Sequence, residues 1–92
     1  MIEVACTNNA DPLEFSVVVR DSRGENRHDV TMARAVHERL TGGHATPERC
    51  IEAAFRFLLD REPKESILRR FDVMVIARYF PEFERELPRY LG

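Results

Sequence analysis

The sequence predicts an α+β fold, in which a small N-terminal antiparallel sheet of two or three strands packs against three to five short helices. Hydrophobic and polar residues alternate through residues 13–20, which is the period of a half-buried strand. From Met32 onward hydrophobic residues recur every three to four positions, which is the period of an amphipathic helix. With 92 residues available for one core, we expect a single domain over residues 1–92, with the sheet over about 1–32 and the helical part over about 32–91.

The first third of the chain supplies the expected strands. The segment "LEFSVVVRD" places Leu13, Phe15 and Val17 on one face and polar residues on the other. "RHDVTM" is its expected return strand, after a polar turn around Gly24. The short β-branched segment "MIEVAC" is the candidate for a third strand, joined through "TNNADP", whose Asn, Asp and Pro residues favour a turn.

Capping residues set the limits of the first two helices. A helix over about residues 32–41 is predicted to begin after Thr31 as N-cap and to end at Gly42. A second helix over residues 47–60 has Thr46 as N-cap and a proline at its first position, where the missing N–H is not needed. Its buried side is apolar and its outer side charged, as in an amphipathic helix that packs on a core.

The stretch "DREPKESILRRF" predicts a corner followed by another helix. Pro63 is expected at the first position of a helix over residues 64–71, with Ile67, Leu68 and Phe71 on its inner side.

Two more helical segments are expected after this corner. One covers residues 73–80 with Asp72 as its cap, and one or two further turns place Phe83 and Leu87 inward. Pro88 is expected to end the regular structure.

Charge and composition restrict the possible partners. The net charge of −2 gives no electrostatic indication of nucleic-acid or anionic-membrane binding. No apolar run is long enough to cross a membrane, and the N-terminus does not resemble a signal peptide, so we expect a cytoplasmic protein. Cys6 and Cys50 are expected to be reduced thiols, at least one of them in the core.

The chemistry-bearing residues form no recognisable catalytic or metal set. His28, His37, His44 and Cys50 match no ligand spacing, and no cofactor is expected. Cys50 falls on the buried side of a helix, where a thiol is inert. One alternative remains open from the sequence, namely a small-molecule or enzymatic site in which Cys6, His28 or His37 converge in a pocket.

The favoured interpretation is a non-catalytic module that binds another protein or itself. Arg69, Arg70, Arg78 and Tyr79 form the candidate interaction surface, because arginine and aromatic residues dominate interface hot spots. Adjacent arginines at a helix end are also explained by the helix dipole. The alternative is nucleic-acid binding, in which three successive short helices imitate a helix-turn-helix, although interleaved acidic residues oppose it.

The run "FLLDREPKESIL", the following "FD" and the segment "VIARYFPEFE" resemble the C-terminal half of a family of small bacterial proteins of uncharacterised function. The resemblance covers about forty residues of this chain, and the preceding "HDVTM" is similar as well. It implies a bacterial cytosolic protein and brings no activity and no site residues.

Overall fold

The computed structural model describes residues 1–92, and four strands form one mixed sheet in the order β1-β2-β3-β4. The strands are β1 (Ile2–Asn8), β2 (Leu13–Asp21), β3 (Gly24–Met32) and β4 (Arg70–Asp72). The first three are antiparallel, as expected, whereas β4 pairs with β3 in the parallel direction. The α+β prediction is confirmed, and the sheet has one strand more than the sequence indicated.

Five short helices complete the chain. They are α1 (Arg34–Thr41), α2 (Pro47–Leu59), α3 (Val75–Tyr79), α4 (Phe83–Glu86) and α5 (Pro88–Leu91). Helix α2 is the central one, with seven buried residues in the core between the sheet and the C-terminal helices. Thr46 caps it as predicted, because its hydroxyl accepts a hydrogen bond from the Arg49 N–H at 3.1 Å. No helix combines the length and the apolar composition needed to span a bilayer.

The helix predicted over residues 64–71 is wrong. Only Lys64–Ser66 form a single 3₁₀ turn, preceded by Pro63, and the chain then runs extended into β4. The free edge of β3 explains the difference, because it offers backbone groups that a helix could not reach. The Asp29 N–H donates to the Arg69 carbonyl at 2.7 Å, and these tertiary hydrogen bonds outweigh the local helical pattern.

Two cap assignments also need correction. Thr31 lies within β3, where its hydroxyl donates to the Asp72 carboxylate at 2.7 Å, and Ala33 is the N-cap of α1 without a side-chain hydrogen bond. Pro88 begins α5 and does not end the regular structure, because proline fits the first turn of a helix. Asp72 was expected to cap the next helix. Its carboxylate accepts a hydrogen bond from the Met74 N–H at 3.0 Å, just before α3 begins.

An aromatic cluster fastens the C-terminal segment to α2. The fully buried Phe57 ring makes edge contacts with Phe80, Phe83 and Tyr90, at centroid distances of 5.8, 5.1 and 5.9 Å. The Arg61 guanidinium lies 3.6 Å from the centroid of the Phe57 ring. As predicted, Phe83 points inward, and the short helices α3–α5 gain their stability from this packing.

Candidate interaction surface

An apolar groove lies between the extended segment that leads into β4 and helix α3. Its volume is about 300 Å³, and eight of its ten lining residues are hydrophobic. The lining residues are Leu58, Glu62, Ser66, Ile67, Leu68, Phe71, Val75, Ile76, Tyr79 and Phe80. The groove is therefore a consequence of the unexpected fourth strand, because it forms where the chain leaves the corner and returns along the sheet.

Two large hydrophobic side chains in this groove remain in water. Leu68 is 47% exposed and Tyr79 is 67% exposed, and Met1 at the N-terminus is the third large hydrophobic residue that is exposed. Leu68 was expected to point inward on a helix, and the extended backbone turns it outward between the buried Ile67 and Phe71. The exposed Leu68 and Tyr79 thus lie in the same concave apolar surface.

The four residues predicted as the interaction surface do not all line the groove. Tyr79 lines it directly, and Arg78 precedes Tyr79 on α3 with an exposed side chain. Arg69 follows Leu68 and lines a second, polar cleft and not the groove. Arg70 starts β4 and is 85% exposed, 3.7 Å from the Asp29 carboxylate on the uncovered face of the sheet.

Neither Arg69 nor Arg70 ends a helix, so the helix-dipole interpretation of this pair is wrong. The nucleic-acid-binding alternative required three successive helices, and the middle one, over residues 64–71, is absent because this segment is mostly extended. Arg69 and Arg78 form no salt bridge, which leaves their charges available to a partner.

One carboxylate lies in the apolar lining. Glu62 is half-buried, and burial raises the pKa of its side chain above the ordinary glutamate value. No salt bridge compensates it. The groove therefore favours apolar atoms along most of its length and tolerates a hydrogen-bond donor at Glu62.

A polar cleft of about 460 Å³ lies on the other side of Ile67. Its remaining lining residues are Glu25, Asn26, Arg27, His28, Glu65 and Arg69. The side chain of Lys64 is 2% exposed, and its ammonium group donates to Asp21 at 3.0 Å and to Glu65. These hydrogen bonds raise the pKa of Lys64 and lower the pKa of both carboxylates, so the charges of this corner are largely matched internally.

The three residues that could have formed a small-molecule site are in different parts of the fold. His28 is buried beside Phe55, and its Nδ1–H donates to the Leu68 carbonyl at 2.7 Å. His37 is on α1 and contacts the Ala45 carbonyl, and Cys6 is on β1. Of these three, only His28 lines the polar cleft. No group of three or more His, Cys, Asp or Glu side chains is arranged to hold a metal ion.

The groove residues that sequence reasoning missed are those contributed by the extended segment, above all Leu68. No local signal in the sequence marks this run, because Pro63 fits the start of a helix as well as an extended segment, and the extended form depends on the distant edge of β3. No protein-family model matches this chain, and neither a curated protein nor a solved structure shows significant similarity to it.

Proposed function

We propose that this chain is a non-catalytic interaction module of the bacterial cytoplasm, and that it binds an apolar segment of another protein in the groove beside α3. The observation that carries the proposal is the exposure of Leu68 and Tyr79 within one concave apolar surface. Full burial of a side chain of this size contributes about 1.5–3 kcal/mol. Leu68 and Tyr79 are 47% and 67% exposed, so binding can gain about half to two-thirds of that at each anchor.

The charges near the groove indicate the chemistry of the partner. Arg69 and Arg78 each adjoin an exposed apolar anchor in sequence and have no salt-bridge partner. Arginine next to an aromatic side chain is typical of interface hot spots, because it provides directional donors on a planar group. A partner segment with apolar side chains and flanking carboxylates would satisfy both features.

The experiment is a tagged pull-down from bacterial lysate, with and without nuclease, comparing the wild type with three groove variants. Leu68→Asp, Tyr79→Ala and Arg78→Glu each change an exposed side chain, so they should leave the fold intact. Arg23→Glu, at the exposed β2–β3 turn, is the charge-matched control for Arg78→Glu. Circular dichroism of each purified variant verifies that it is folded.

We expect the wild type and Arg23→Glu to recover the same partner protein stoichiometrically. With Leu68→Asp, the recovery of this partner should fall at least tenfold. A tenfold loss corresponds to about 1.4 kcal/mol, which the lost burial of the exposed half of Leu68 and the desolvation of the new carboxylate supply together. Equal recovery by all groove variants would exclude the groove as the binding surface. Recovery that disappears with nuclease would replace the proposal by nucleic-acid binding.

A further inference from the structure

Strand β1 leaves one edge of the sheet without a partner strand. It pairs with β2 alone, and the Arg20 N–H donates to the Met1 carbonyl at 2.8 Å while the N-terminal amine donates to the Arg20 carbonyl at 2.8 Å. In an antiparallel pair, residues that exchange two backbone hydrogen bonds in this way recur at every second position. The backbone groups of Ile2, Val4 and Cys6 therefore point away from β2, and their N–H groups have no acceptor elsewhere in the chain.

This edge lacks most of the features that prevent an exposed edge strand from pairing with another chain. It contains no proline and no lysine, and its only charged side chain, Glu3, is bonded to Arg20 at 2.7 Å. The side chains of Ile2, Val4 and Cys6 face the core side and are half-buried there, so apolar surface accompanies the open backbone groups. The opposite edge, β4, has only three residues, two of them charged.

We propose that β1 pairs antiparallel with β1 of a second copy of this chain, about a two-fold axis at Val4, so that two four-stranded sheets become one. Val4 then lies opposite Val4 of the second copy, and Ile2 lies opposite Cys6 in both directions. Each of these three pairs exchanges two backbone hydrogen bonds, so that every open N–H and C=O group of this stretch is satisfied.

Three two-fold registers pair more than one of the residues whose backbone groups point away from β2, and the sequence of β1 selects this one among them. A pairing centred on Glu3 places two carboxylates directly opposite each other, which is destabilising. A pairing centred on Ala5 places Ile2 opposite Asn8, beyond the irregularity that shifts the register between Cys6 and Asn8. Centred on Val4, the pairing puts Glu3 opposite the small, exposed Ala5 of the other copy.

The expected dimer is weak and reversible. A contact one strand wide buries less than the ~1,600 Å² of a standard interface, so its dissociation constant should lie in the micromolar range or above. Because β1 and β4 are at opposite edges of the sheet, the groove remains open in the dimer. The pairing therefore does not depend on the proposed function, and Leu68→Asp should leave self-association unchanged.

Sedimentation velocity over a series of protein concentrations tests the register through charge. Ala5→Lys places an ammonium group opposite Glu3 of the other copy and should tighten the dimer, whereas Ala5→Glu should weaken it. Each change is expected to be about 2- to 30-fold, equivalent to about 0.4–2 kcal/mol for two symmetric pairs. Ser22→Lys and Ser22→Glu, at the exposed turn between β2 and β3, are charge-matched controls and should have no effect.

Amide hydrogen exchange gives a second readout that identifies the strand. Protection of the Ile2, Val4 and Cys6 amides should rise with protein concentration, while the Glu3 and Ala5 amides, which bond to β2, should be protected throughout. A wild type that stays monomeric up to millimolar concentration would overturn the proposal. A dimer whose dissociation constant does not change with the charge at position 5 would also overturn it, as would a dimer in which these three amides stay unprotected.

Discussion

Replacing Phe57 with leucine should destabilise the fold more than the same replacement at Phe55. Both rings lie on α2 and are fully buried, so the two substitutions remove similar amounts of apolar surface. They differ in their neighbours, because Phe57 meets Phe80, Phe83 and Tyr90 edge-on, and these rings belong to the C-terminal segment.

The expected magnitudes follow from the ring contacts. An aromatic pair contributes about 0.5–1.5 kcal/mol beyond area burial, and a cation over a ring about 0.5–1 kcal/mol at an accessible site. Phe57 loses three pairs and the Arg61 contact, which gives a cost of about 2–5.5 kcal/mol. Phe55 loses only its contacts with His28 and Phe71, which gives about 1–3 kcal/mol.

Urea unfolding followed by far-ultraviolet circular dichroism measures both variants. A domain of this size has a free energy of unfolding of about 5–14 kcal/mol, so a wild type above the lower end of this range leaves both variants a folded baseline. The difference between their unfolding free energies is the decisive quantity. Equal costs, or a larger cost at Phe55, would show that ring geometry contributes nothing here and that lost volume alone sets the stability.

Three further predictions concern single side chains. Burial raises the pKa of Cys50 to about 11, so in the native protein a thiol reagent should label only Cys6, and rapid labelling of both thiols would contradict the buried position. The raised pKa of Glu62 means that folding favours its protonated form; this contribution is complete in acid and is lost as pH rises through the raised value. Glu62→Gln should therefore increase the urea midpoint at neutral pH and leave it unchanged in acid, and the same shift at both would refute the assignment. Thr46→Ala should cost about 1 kcal/mol because the N–H of Arg49 loses its acceptor, whereas Thr46→Ser should cost less than half of that, as thermal unfolding can show.

The elements that could be predicted from the sequence are those whose pattern is local. The alternation over residues 13–20 and the Thr46 cap identify β2 and α2 because both signals lie within the elements themselves. The strand β4 could not be recognised in this way. Its residues carry a helical spacing, and they adopt the extended form because β3 supplies hydrogen-bonding groups from about forty positions earlier in the chain.

The interaction surface also combines features with a local sequence signal and features that depend on distant contacts. Tyr79 is a candidate from the sequence because arginine and aromatic residues dominate interface hot spots, and the structure does leave it exposed. Leu68 was placed inward because it was expected on a helix, and it became the second anchor of the groove only when the backbone was extended. Arg69 lines the polar cleft and Arg78 is on α3, so these two predicted members of the surface lie in different elements.

The order of the strands and helices along the chain determines which surfaces are exposed while the chain is being synthesised. A nascent chain that has produced only β1 to β3 presents a sheet whose apolar face, including Leu13, Phe15 and Val30, has nothing to cover it. The cover is α2, and the second partner of β3 follows only at Arg70. Chains that stop before α2 would thus expose a bare apolar sheet with an open edge, which makes them substrates for chaperones and proteases.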